Sequence, residues 1–290
     1  MTNNPFLDIL RLISFVILGL LCSNLITTII LFNGGYNFED IRQGSSQILM
    51  NLSSNQLMVA QLSSHICGLI LPAFLLTKFS PSIKESLSVN SWQASNFLKY
   101  ILLLLLALPL VSYSAYLNQL IPLPEWMHSN EDKLQDLIKK LLDFKNIGQL
   151  ILAIVTIGII PGIGEEWIFR GILQTRFALI FKNQWIALVL ASVLFSAIHM
   201  QFEGFLPRFI LGFILGYVFM HSKNLWYSII LHMLFNSVQV LAAYFLGPDM
   251  MDESLSGDKS PMPWYAALFM LSIFIVYFFS LESKRNIHVV

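Results

Sequence analysis

Six side chains that can exchange protons or donate hydrogen bonds lie within stretches of sequence that are otherwise apolar. In chain order they are Glu165, Glu166, Arg170, His199, His232 and Asn236. An ionisable group inside a membrane span costs about 2.5–3.5 kcal/mol even on lenient insertion scales, so a functional role is the first hypothesis for each. Carboxylates and imidazoles transfer protons, and imidazoles and amides stabilise negative charge by donating hydrogen bonds. Proton transfer and anion stabilisation are therefore the chemistry available to this set.

Glu165 and Glu166 are adjacent, but a helix gives them different surroundings. Glu166 precedes Arg170 by four residues, which is the favourable order for an ion pair on one helical face. Glu165 points about 100° away from Glu166 and has no partner in its own turn. A lone buried carboxylate takes up a proton or is held by a cation, a histidine or water. The alternative is that all three residues form one packing network.

The segment PGIG, residues 161–164, directly precedes the two glutamates. Its proline and glycines predict a break in the helix, and irregular backbone is tolerated at membrane depth only when it is buried or lines a cavity. A helix that begins after this break would direct its positive end toward Glu165 and favour the carboxylate form.

His65, His199 and His232 lie in three different apolar stretches. His232 and Asn236 are four residues apart, so on a helix they share a face and direct an imidazole and an amide to one side. The alternative for this pair is a polar clasp between helices. His199, at the end of FSAIHM, is by itself typical of an interfacial or hydrogen-bonded residue, and we expect His65 to be a polar packing contact.

The composition places these residues in a membrane protein. Hydrophobic residues make up 56% of the 290 and charged residues only 12%, against about 25% charged residues in an ordinary soluble domain. The 17 basic and 17 acidic residues cancel, so net charge does not indicate a nucleic-acid partner.

Apolar runs near the roughly 20 residues that a helix needs to cross a bilayer predict about eight transmembrane helices. They cover residues 9–32, 57–77, 97–121, 148–181, 184–200, 205–221, 225–246 and 264–281. Between the third and fourth runs, Trp126 and several leucines recur at helical spacing among charges, which predicts an amphipathic helix on the membrane surface. A helix packed on the protein is the alternative. The predicted fold is an all-α integral membrane protein, with residues 1–290 in one membrane domain.

The predicted spans place three of the polar residues at similar depth. Glu165 is about 16 residues from the end of its span at residue 181, His199 about 15 from residue 184, and Asn236 about 11 from residue 225, at about 1.5 Å per residue. All three are counted from the same membrane face. We therefore expect these residues to meet near one level.

Taken together, the motifs resemble a known family. EExxxR begins at Glu165, FxxxH ends at His199 and HxxxN begins at His232. Their order and spans are similar to those of the CAAX-processing and bacteriocin-processing family of intramembrane proteases, also called the Abi family. The resemblance covers residues 148–246, which it identifies as a catalytic core of four helices.

The resemblance implies hydrolysis of a peptide bond in a membrane-embedded or lipid-anchored substrate, and the family name suggests a prenylated CAAX-type peptide. Glu165 and His199 would hold and deprotonate a water, and His232 with Asn236 would donate to the developing oxyanion. No nucleic acid is implied as a partner, and the oligomeric state is open.

The cofactor is open as well. Glu165, His199 and His232 resemble a catalytic zinc set, which has three protein ligands and a water. Glu166 and Arg170 would not bind the metal in either case and would support the pose of Glu165. The sequence has no HExxH, however, which is the usual helical arrangement of a zinc protease. We favour a glutamate-based reaction without metal.

Two other classes of function remain as alternatives. A transporter or channel would use Glu165 and the histidines as an ion path, and an inert scaffold or immunity protein would share the fold without the reaction.

Lysine and arginine are somewhat more frequent on the side that carries both termini, so the positive-inside rule favours cytoplasmic termini. The expected location is the inner membrane of a bacterial cell.

Overall fold

The computed structural model describes residues 4–43, 46–87, 91–247 and 260–287. All regular structure in these ranges is helical, which confirms the predicted all-α class. We number the longer helices α1 to α9. They are α1 Pro5–Asn33, α2 Ser54–Phe79, α3 Ala94–Gln119, α4 Glu125–Leu142, α5 Ile147–Phe181, α6 Gln184–Ala197, α7 Phe205–Ser222, α8 Leu225–Leu246 and α9 Trp264–Ile287.

Seven of these helices are long and apolar enough to cross a membrane: α1, α2, α3, α5, α7, α8 and α9. The chain is therefore a multi-pass membrane protein. The remaining apolar helix, α6, has 14 residues and a length of about 21 Å at 1.5 Å per residue, short of the roughly 30 Å of a hydrocarbon core. Its predicted span extended to residue 200, but the backbone turns after Ala197, and Met200 has a φ of 53°.

Helix α5 is continuous over its 35 residues, so the predicted break at residues 161–164 is wrong. Two π-helical segments, Ile154–Ile159 and Trp167–Gln174, flank the α-helical segment Ile160–Glu166. Pro161 lies at the start of that α-helical segment, where the hydrogen-bonding pattern changes, and its missing N–H is accommodated there. As a result, α5 does not begin beside Glu165 and does not direct an N-terminus toward it.

The glycines of PGIG allow close helix packing instead. A Cβ atom on Gly162 would lie 2.7 Å from Cγ of Met233 in α8, and one on Gly164 would lie 3.0 Å from Cβ of Leu69 in α2. Small residues at such contacts let two membrane helices approach closely. The segment before the two glutamates therefore brings α2 and α8 close to α5 from two sides.

Helix α5 lies at the centre of the contacts among these helices. It packs against α1, α2, α6, α7 and α8, while α3 packs against α7 and α9 against α3. A third π-helical segment, Ile66–Ile70, follows His65 in α2 and faces α5. Such segments shift the direction of the side chains around them and occur often at functional sites.

The predicted amphipathic helix is α4, and its C-terminal part packs on the protein. Leu141 and Leu142 are buried in a cluster that includes residues of α2, α5 and α8. The Ser54 hydroxyl donates to the Lys140 carbonyl at 2.9 Å. Near the other end Trp126 is 59% exposed, and its ring meets the edge of Phe202 with the ring centres 6.3 Å apart.

Candidate active site

Glu165 is not a lone carboxylate, because two imidazoles from other helices flank it. Its Oε1 lies 3.8 Å from Nε2 of His65 in α2, and its Oε2 lies 3.9 Å from Nε2 of His232 in α8. The glutamate itself is only 6% exposed. Each oxygen of one buried carboxylate therefore faces the ring nitrogen of a different histidine.

The expected pair of Glu166 and Arg170 forms, and it also engages His232. Oε1 of Glu166 accepts from Nη1 of Arg170 at 2.7 Å and lies 2.8 Å from Nδ1 of His232. All three residues are buried. Glu166 thus orients His232 so that the other nitrogen of the ring faces Glu165.

The Arg170 guanidinium is fixed by two further contacts. Its Nη2 donates to the Gly212 carbonyl at 2.9 Å, and its Cζ lies 4.5 Å from the centre of the Phe195 ring. A Cβ atom on Gly212 would lie 3.0 Å from Cδ1 of Phe195. One turn later Gln174 donates to the Gly216 carbonyl at 3.0 Å. The GxxxG of α7 therefore packs within the chain and exposes its carbonyls to side chains of α5.

His199 lies in the turn that follows α6 and is half-buried. Its Nδ1 is 2.8 Å from the Phe195 carbonyl, which is one of the free carbonyls at the end of that helix. The centre of the Phe195 ring lies 5.4 Å from that of His199 and 5.8 Å from that of His232. His199 also interacts electrostatically with Glu165, so the loop places it beside the cluster.

The hydrogen-bond partners indicate where each imidazole carries its proton. Nδ1 of His65 faces the Gln61 carbonyl at 2.9 Å, and Nδ1 of His199 faces a carbonyl as well. Because a carbonyl oxygen can only accept, Nδ1 is the protonated nitrogen in both neutral rings. His232 follows the same pattern with a carboxylate as acceptor. In all three neutral rings Nε2 is then free to accept a proton.

Asn236 is placed differently from the expectation. Its Nδ2 donates to the Ile157 carbonyl at 3.2 Å, about two turns before Glu165 along α5. The amide also lines a cavity of about 270 Å³, whose edge includes Gln61 and Arg208 and whose apolar wall includes Leu141 of α4. The described contacts therefore join Asn236 to this cavity and not directly to the carboxylate.

A zinc ion would need its ligands within about 2.0–2.2 Å. Among the residues that the structure describes, no three His, Cys, Asp or Glu are gathered closely enough to hold a metal ion. The possible zinc set of Glu165, His199 and His232 does not fit a metal in this arrangement.

His65 is the residue of the cluster that sequence reasoning missed. It was expected to be a packing contact, but it faces Glu165 at 3.8 Å, because α2 packs against α5 at this level. The available signal was an ionisable side chain in the middle of an apolar span, the same signal that singled out the other residues.

The fold and the site define a class: a multi-pass helical membrane protein with a buried carboxylate flanked by imidazoles. Residues 147–238 match the family model described as Type II CAAX prenyl endopeptidase Rce1-like. This confirms, over that region, the resemblance that the motifs indicated. The matched residues run from α5 into α8 and contain the three motifs, whereas His65 lies outside them.

A curated relative shows the same limited coverage. An Escherichia coli protein described as an uncharacterized 24.3 kDa protein is 33% identical over 98 residues, which are 32% of this chain and 45% of that protein. The chain therefore matches less than half of that relative's length. No solved structure matches the chain.

Proposed function

We propose that this protein is an intramembrane endopeptidase, which hydrolyses a peptide bond of a membrane-associated substrate with a water activated by Glu165. The observation that supports it most is the position of this carboxylate. It is buried, and each of its oxygens faces an imidazole Nε2, at 3.8 and 3.9 Å. A base and proton-accepting nitrogens are thus gathered where bulk water has little access.

In the proposed reaction a water binds between Glu165 and His199. The carboxylate takes a proton from this water as the oxygen forms a bond to the carbonyl carbon of the substrate. The same proton later passes to the nitrogen of the leaving amine, and the carbon–nitrogen bond breaks. No covalent bond to the protein is formed, and no metal takes part in these steps.

The oxyanion would be stabilised by Asn236 and, once Nε2 of its ring carries a proton, by His232. Nδ2 of Asn236 has a second hydrogen besides the one directed at Ile157, and it can donate to a substrate oxygen. Glu166 and Arg170 act indirectly, because they fix the ring of His232. The proposal therefore assigns proton transfer to Glu165 and His199, anion stabilisation to His232 and Asn236, and support to the ion pair.

The substrate would enter through the cavity that Asn236 lines. Its polar edge has amide groups that can pair with an extended peptide backbone, and its wall from α4 is apolar. Such a lining suits a peptide segment with apolar side chains, in a membrane-embedded or lipid-anchored protein. A prenylated CAAX-type peptide, which the family description names, is one member of this class.

The test is cleavage of a panel of membrane peptides, with and without a prenylated cysteine, by the purified protein in lipid vesicles. We expect Glu165→Gln to lower the rate by about 10²–10⁴-fold, the range for loss of a general base. The matched control is Glu282→Gln in α9, whose carboxylate accepts from the Tyr217 hydroxyl at 3.1 Å on another part of the fold. Equal cleavage by the parent and Glu165→Gln would overturn the proposal.

A further inference from the structure

His65 comes from a part of the chain that no family motif covers, yet it makes a contact to Glu165 that matches that of His232. The two Nε2 atoms face opposite oxygens of the carboxylate at nearly equal distances, 3.8 and 3.9 Å. Gly164 allows this approach, because a Cβ atom there would lie 3.0 Å from Leu69 of the same helix as His65. The flanking of Glu165 therefore depends on α2 as much as on α8.

The direction of the His65 ring shows what this contact requires. Because Nδ1 donates to the Gln61 carbonyl at 2.9 Å, a neutral ring presents a lone pair to the carboxylate. Two acceptors do not attract each other. The contact is favourable when a proton lies on Nε2, or when a water donates to both groups across the 3.8 Å.

The charges around Glu165 favour one such proton. Glu165 and Glu166 carry two negative charges, and Arg170 carries one positive charge, so the buried cluster has a net charge of about −1 when its imidazoles are neutral. Beyond it, Arg208 interacts electrostatically with both Glu131 and Glu165. A net buried charge costs several kcal/mol, and one proton on an imidazole removes it.

His65 is the flanking imidazole better placed to carry that proton. Its side chain is 19% exposed, against 3% for His232, so charging it requires less desolvation. Nδ1 of His232 is also engaged by Glu166, which Arg170 already neutralises. One turn before His65, Gln61 lines the cavity.

We propose that His65 is the proton-holding partner of Glu165, and this rests on the proposed function. The Nε2–H of His65 faces Glu165 and holds it as a carboxylate. Glu165 removes a proton from the attacking water and later delivers it to the nitrogen of the leaving amine, while His65 keeps its own proton throughout. One oxygen–hydrogen bond of water breaks, and one nitrogen–hydrogen bond of the amine forms. His65 acts through Glu165, and it is a positioning residue for the carboxylate.

The activity test compares His65→Gln with His221→Gln, a matched change at a histidine that contacts Tyr100 at 2.8 Å and the Leu281 carbonyl at 3.2 Å. We expect His65→Gln to lower kcat by about 100-fold with KM within about twofold of the parent. The pH profile of kcat should lose the limb that an imidazole contributes. Replacing a residue with only a structural role would leave this limb unchanged. Parental kcat and an unchanged pH profile in His65→Gln would overturn the proposal.

A second measurement does not depend on proteolysis. The protein is labelled with nitrogen-15 histidine, and His65 is assigned by comparison with His65→Gln. At neutral pH we expect a protonated Nε2 on His65 in the parent and an unprotonated one in Glu165→Gln, or in Glu165→Asp if the glutamine variant does not fold. Identical His65 signals in the parent and in the Glu165 variant would overturn the pairing of His65 with Glu165. Absence of cleavage by the parent, with the expected signals, would instead overturn the proposed function alone.

Discussion

The buried pair of Arg170 and Glu166 permits a test of the site that needs no substrate. Replacing Arg170 with Met keeps much of the side-chain volume but leaves the Glu166 carboxylate buried without its cation. The two side chains are 1% and 0% exposed and 2.7 Å apart. Breaking such a pair on one side costs about 3–5 kcal/mol, and loss of the bond to the Gly212 carbonyl acts in the same direction.

In this variant His232 still donates to Glu166 and compensates part of its charge. We therefore expect a loss of unfolding free energy at the lower end of that range, about 3 kcal/mol. The double variant Arg170→Met with Glu166→Gln removes both charges, and the glutamine oxygen can still accept from His232. We expect it to regain at least about 2 kcal/mol of the loss, because neutral replacement of a buried pair is often close to neutral in stability.

The assay is equilibrium unfolding in mixed micelles with increasing dodecyl sulfate, followed by tryptophan fluorescence. Arg42→Met is the matched control, since Arg42 pairs with Glu39 at 2.6 Å but the two side chains are 67% and 56% exposed. That exposed pair should contribute less than about 1 kcal/mol. Equal losses for the two arginine variants, or no recovery in the double variant, would refute the electrostatic reasoning.

Three further predictions concern packing, the oxyanion and zinc. Gly212→Val places methyl groups against the Phe195 ring and displaces Arg170, so the unfolding free energy should fall by about 1–3 kcal/mol in the same assay; parental stability would contradict the close approach. Asn236→Ala should lower kcat by about 10²–10³-fold with less than about 1.5 kcal/mol lost in stability, and a parental kcat would exclude the amide from the reaction. Zinc titrated by calorimetry should bind the parent no more tightly than His199→Gln, because the ligands of the possible zinc set are not gathered; tighter binding to the parent would show that they can be.

The membrane fold and the local pairs of the site were predictable from the sequence. Long apolar runs indicated the spans, and the four-residue spacing of Glu166 and Arg170 indicated their ion pair, which forms at 2.7 Å. Both are local properties of a helix, set by its rise and its 3.6-residue turn. The predicted helix break at residues 161–164 was wrong. That prediction assigned the proline and glycines to irregular backbone, but the glycines allow α2 and α8 to pack closely on α5.

Contacts between helices could not be predicted in the same way. The spacing of His232 and Asn236 showed a shared face, but it did not show that His232 contacts Glu166, 66 residues away, while Asn236 donates to Ile157. Contacts between two helices depend on how each helix is rotated about its axis and how far it is shifted along that axis. Both are set by the packing of small residues along the whole helix.

The sequence by itself determined an all-α membrane protein, the family-like motifs and the residues able to transfer protons. Only the tertiary structure decided that Glu165 lies between His65 and His232, from helices before and after its own. The physical reason is that the cost of burying a charge is visible in any apolar run, whereas the partner that compensates it comes from whichever helix packs alongside.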